Sequence, residues 1–146
     1  MKKLLLILFS LFFLSSPSVF AEEDLSKINI SNLKRLSSSE IIDAFSNTRS
    51  IGYYSRDIYG IDFEFEEFNY SNGDFNHLNI FFSASGKWKA YDNKMCFKAT
   101  QHSLIAPEKM FTCVLIYTSI KEMEYYFYMP GQGIYAKTTL VIPLID

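Results

Sequence analysis

The chain has 146 residues, 49% of them apolar and 17% aromatic against 21% charged, with Lys+Arg 14 set against Asp+Glu 16 for a formal charge of -2. Those proportions describe one globular domain with enough large side chains to fill a core, and they exclude a disordered tail. The lack of any basic excess argues against a nucleic-acid partner, whose phosphates would have to be neutralised by Lys and Arg.

Lys2 and Lys3 precede an apolar run from Leu4 to Leu14, which Ser15, Ser16, Pro17 and Ser18 break before Val19-Phe20-Ala21. This is the three-part layout of a secretory signal peptide, with cleavage expected after Ala21. The run is shorter than the ~20 apolar residues a hydrocarbon core requires, and later stretches such as Val114 to Tyr117 are shorter still. The expectation is an exported protein, periplasmic or secreted, with no stable membrane span after cleavage. A Lys-Lys signal reads as bacterial, so the sequons Asn29-Ile30-Ser31 and Asn69-Tyr70-Ser71 are discounted.

Residues 22–35 form a polar lead with scattered Leu25, Ile28 and Ile30, expected to be loosely held, and residues 36–146 form a single β-rich domain. Ser37 followed by Glu40 is a capping box, and Leu36 with Ile41 can pack as a hydrophobic staple. Ile41, Ile42 and Phe45 supply an apolar face, so a helix is expected over about 38–47. From Gly52 the period changes to two, with turn residues at short intervals. Phe63 and Phe65 alternate with Asp62, Glu64 and Glu66, giving one aromatic and one acidic face. Asn72-Gly73 marks a hairpin, with a return strand over 78–83. The next strand, 86–91, turns Trp88 and Ala90 one way and Lys87 and Lys89 the other, and Asp92-Asn93 leads into 95–99. Beyond a 101–109 loop, 111–117 reads as a central strand, followed by 123–129 and 134–139. Pro143 confines the apolar tail to an edge or a packed end. The fold class is mainly β: one N-terminal helix with an antiparallel meander of seven or eight strands. Periodicity does not decide whether the meander closes into a small barrel.

Cys96 and Cys113 are the only cysteines, an even count in an exported chain, and a disulfide between them is expected. His77 and His102 stand apart without metal-ligand spacing, so neither a metal nor another cofactor is called for. Taken together, Leu36-Ser37 with Glu40, Asn47-Thr48, Gly86-Lys87-Trp88, Met95-Cys96-Phe97 and Cys113 resemble a family of small exported proteobacterial proteins catalogued as a domain of unknown function. The likeness spans Leu36 to Tyr117, with Ser46 in place of the family's Gly and Val114 in place of an aromatic. The resemblance implies export, a β-rich fold and a disulfide, and it carries no activity.

No nucleophile elbow, zincin helix or phosphate-cradling loop is present, and no catalytic residue is assigned. The nearest constellation is the carboxylate row Asp62, Glu64 and Glu66, at spacings that suit a cation or the paired acids of a glycoside hydrolase. A solvated strand face is the plainer reading, as solvent exposure is for His77 or His102 as a general base. Tyr125, Tyr126 and Tyr128, with Trp88, are the candidate ligand-contact aromatics, unless the lead or the tail covers the outer face of their strand. The leading expectation is a non-catalytic binding module for an envelope protein, a glycan or a small apolar ligand, through an aromatic surface or a barrel mouth, in the manner of small inhibitors. The alternative is an envelope hydrolase using the carboxylate row.

Overall fold

The structure, a computed structural model, describes residues 24–56, 60–61, 63–102, 111–119 and 124–145. The expected signal peptide, Asp62 and residues 103–110, which hold most of the expected 101–109 loop, lie outside the described residues. The strands are β1 (Lys34–Arg35), β2 (Thr48–Tyr54), β3 (Phe63–Asn69), β4 (Asp74–Asn79), β5 (Ser83–Tyr91), β6 (Lys94–His102), β7 (Phe111–Thr118), β8 (Tyr125–Met129) and β9 (Gly133–Pro143), with a single helix, α1 (Ser38–Phe45), before β2.

Strands β2 to β9 form an antiparallel meander in which each strand pairs with the next, and β9 returns to pair with β2, closing an eight-stranded barrel. The short β1 is an addition, pairing with Tyr117 and Thr118 of β7 beyond the point where β6 stops. Alternation sends one face of every strand inward, and eight strands leave a lumen about wide enough for side chains or one small ligand. Curvature comes from register shifts at Ile51/Gly52, Ser85/Gly86 and Phe127/Tyr128. Two of these carry glycine because the neighbouring strand is too close for a side chain: a Cβ would lie 2.3 Å from the Lys137 carbonyl at Gly52 and 2.1 Å from the Lys98 carbonyl at Gly86.

One end of the barrel is sealed by α1. The Glu40 amide donates to Ser37 Oγ at 3.3 Å and the Ser37 amide to Glu40 Oε2 at 2.8 Å, completing the capping box. Ile41 and Phe45 are fully buried, and Phe45 meets Tyr125 and Phe127 edge-on at 4.9 and 6.0 Å. The helix ends at Phe45, slightly earlier than expected, because Asn47 takes a positive φ and turns the chain into β2. Reciprocal bonds between Ser38 and Asn93 tie the helix to the β5–β6 turn. Beneath it lie Trp88, Met95, Val114 and Ile116, with Phe65, Phe75 and Phe127 in the same core. Lys87 faces outward from β5 and pairs with Asp74, opposite in face to Trp88.

Two expectations need correction. The lead is not loosely held: turns of 3-10 helix at Leu25–Lys27 and Ile30–Asn32 lay Leu25, 2% exposed, against Tyr126 and Ile134 on the outer wall, with Ile28, Ile30 and Leu33 alongside. The return strand after the Asn72-Gly73 hairpin is Asp74–Asn79, because the Asn79 side chain accepts from the Phe81 and Phe82 amides and ends it. As expected, Pro143 lies at an edge: beyond Thr138, β9 pairs with β2 alone, and Pro143 ends it opposite Thr48, where the missing amide breaks no continuing ladder.

Cys96 and Cys113 are directly opposed on β6 and β7, with Cα atoms 4.0 Å apart, and are joined as a disulfide. No helix among the described residues is long and apolar enough to cross a membrane.

Candidate functional site

The end of the barrel away from α1 holds a cavity of about 360 Å³. Its lining is mainly aromatic: Tyr54, Phe63, Phe75, Phe82, Phe97 and Tyr135, with Ala84, Ala99 and Met129 between them. Each comes from the inward face of its strand, or, for Phe82, from the connection between β4 and β5. The small side chains Ala84 and Ala99, on adjacent strands β5 and β6, leave room that larger residues would fill. Around this end stand Ile61, Ile80, Phe81 and Phe111, each 45% exposed or more, so the approach is apolar as well.

A buried polar chain is set into one wall. Phe63, Phe65, Glu67 and Asn69 are all buried at alternate positions of β3, so the aromatic face of this strand becomes polar at its inner end. Glu67 lies directly across from His77 of β4, and Glu67 Oε2 is 3.1 Å from His77 Nδ1. Asn69 Nδ2 donates to Glu67 Oε1 at 2.9 Å. On the other side of the ring, Tyr54 Oη is 3.0 Å from His77 Nε2 and Asn79 Nδ2 is 3.3 Å from it. The geometry lets His77 Nδ1 donate to Glu67 while Nε2 accepts from Tyr54. The ring is held between Phe65 and Phe82, each stacked with its centroid 5.4 Å away. The His77 ring is thus bonded at both nitrogens and covered on its faces by Phe65 and Phe82.

Chemically, the site offers apolar contact area, the Glu67 carboxyl, the His77 imidazole, the phenols of Tyr54 and Tyr135, the Thr112 hydroxyl and the Gln132 amide. Lys and Arg are absent from the described lining. Among the described residues, no group of three or more His, Cys, Asp or Glu is placed to hold a metal ion.

The residues singled out from sequence lie elsewhere. Glu64 is exposed and Glu66 pairs with Arg49, both on the outward face of β3, while Asp62 lies outside the described residues. Trp88 is buried in the core with its Nε1 donating to the Tyr70 carbonyl at 3.0 Å. Tyr125 points inward to Phe45, and Tyr126 and Tyr128 lie under the lead on the outer wall. His102 ends β6 opposite Ala84, and its side chain is outside the described residues. Sequence reading missed Glu67, Asn69 and Tyr54 and treated His77 as solvent-exposed. The signal was present in the alternation: carrying the Phe63/Phe65 face forward by two and four residues reaches Glu67 and Asn69.

Compared with protein-family models, with curated proteins and with solved structures, the chain has no match.

Proposed function

We propose that this protein is an exported binding module that takes a small, mainly apolar molecule into the open end of its barrel, and that it belongs with the small exported β proteins its sequence resembles. The observation that carries the reading is the aromatic cavity with a few fixed polar groups in one wall, the usual composition of a small-ligand site. Its volume falls near the lower end of such sites, which suits a compact ligand rather than a long lipid chain. The exposed Ile61, Ile80, Phe81 and Phe111 favour approach of an apolar molecule to this end. Export rests on the N-terminal sequence and is compatible with the disulfide.

The test uses N-phenyl-1-naphthylamine, a neutral dye that fluoresces on leaving water. Saturable one-site binding to the native protein is expected, with at least tenfold loss in Ala99→Phe and in Thr112→Phe, both of which fill the cavity. Absence of saturable binding, or unchanged binding in both folded variants, overturns the proposal.

A further inference from the structure

We infer that the preferred occupant of the barrel is an organic cation, an ammonium group carried on a small apolar body. This rests on the reading of the barrel as a small-molecule site and names the chemical class it selects. The first observation is charge. Glu67 lines the cavity and is 7% exposed, and neither Lys nor Arg is in the described lining to neutralise it. Its two hydrogen bonds come from the Asn69 amide and the His77 imidazole, which stabilise a carboxylate and occupy two of its roughly four acceptor positions. A donor from the ligand can take a remaining position.

The second observation is a pair of unpartnered polar atoms behind that carboxylate. Asn69 is fully buried, and because its amide nitrogen is committed to Glu67, the atom left without a hydrogen-bond partner is its oxygen, Oδ1. Ser50, directly across from Glu67 on β2, is 1% exposed, and its Oγ also has no partner. Buried polar atoms are normally satisfied. Neither Asn69 nor Ser50 is in the described lining, so of the three a ligand meets Glu67, and an N–H donor there joins a wall whose inner oxygens are short of donors.

The third is the aromatic lining itself. Ring faces carry negative potential and attract cations, most effectively where water is excluded. An ammonium entering the barrel loses its hydration and regains a counter-ion and ring faces. A carboxylate ligand of the same size would lose hydration and meet the Glu67 carboxyl, with no Lys or Arg in the described lining to pair with. The lining thus discriminates by charge in addition to shape.

Displacement of N-phenyl-1-naphthylamine by three ligands that share one phenylpropyl body tests this at pH 7: 3-phenylpropylamine, 3-phenylpropan-1-ol and 3-phenylpropionate. The amine is expected to displace the dye at concentrations at least tenfold lower than the alcohol, with the propionate weakest. Glu67→Gln is expected to bring the amine to the level of the alcohol, each displacement being referred to that variant's own dye affinity. If the alcohol or the propionate displaces the dye as well as the amine does in the native protein, the inference falls while the binding-module reading stands. If the dye does not bind, the binding-module reading falls and this inference falls with it. The native-protein comparison decides the matter even if Glu67→Gln does not fold.

Discussion

Gly52 and Gly86 are the positions at which the smallest chemical change has the largest structural reach. Neither has a positive φ, so the constraint is space: an added methyl would overlap the carbonyl of Lys137 or Lys98. Because those contacts are backbone, they cannot be relieved by a side-chain rotation. Gly52→Ala or Gly86→Ala is expected to lower stability by about 2 kcal/mol or more in urea unfolding, since overpacking at a barrel bend has to move a strand. At the same scale, Glu66 and Glu67 are adjacent in sequence and opposite in environment. Glu66 pairs with Arg49 on the outer wall, while Glu67 is buried against His77. A one-residue step exchanges the two faces of a strand. The alternation of Phe63 and Phe65 was readable, and it pointed inward. The acidic partners of that alternation attracted the functional reading because carboxylates in a row look like chemistry. The buried carboxylate was obscured by sitting beside an exposed one, and its meaning depends on His77, ten positions away on another strand.

At the scale of elements, the capping box of α1 was legible because every partner is local. Glu40 is held down to about 2 by the Lys34 ammonium first and then by the Ser37 amide and hydroxyl. Its folded value lies below the ordinary 4.5, so this contribution to stability is present above about pH 4.5 and is lost as pH falls toward 2. Glu40→Gln should therefore narrow its stability difference from the native protein across that window in thermal unfolding. Ser37→Ala is expected to cost about 1 kcal/mol. The lead was less legible: Leu25, Ile28, Ile30 and Leu33 follow no helical or strand period, since they descend from successive 3-10 turns onto Tyr126 and Ile134. Leu25→Ala should destabilise by about 2–3 kcal/mol, the range for truncating a buried Leu, and a solvated lead would instead give no change. The disulfide pins β6 to β7. Under the loop-entropy account, its reduction should cost roughly 3 kcal/mol in denaturant unfolding.

At the scale of the whole molecule, closure was the feature local pattern did not contain. The meander of hairpins follows from turn residues such as Asn72-Gly73 and Asp92-Asn93. Closure depends on Thr48–Tyr54 meeting Ala136–Pro143, a pairing across most of the domain. Closure turns an aromatic face into a lumen. Helix α1 seals one end, and Ala84 and Ala99 leave space near the other. The aromatic richness of the composition thus divides between a packed core, an outer wall covered by the lead, and a cavity. The most direct test of binding inside the barrel is nuclear Overhauser spectroscopy on a complex with 3-phenylpropylamine. Contacts from its phenyl protons to the methyl groups of Ala84, Ala99 and Met129 are the result this account predicts, and contacts confined to outer-wall methyls such as those of Leu78 or Leu140 would contradict it.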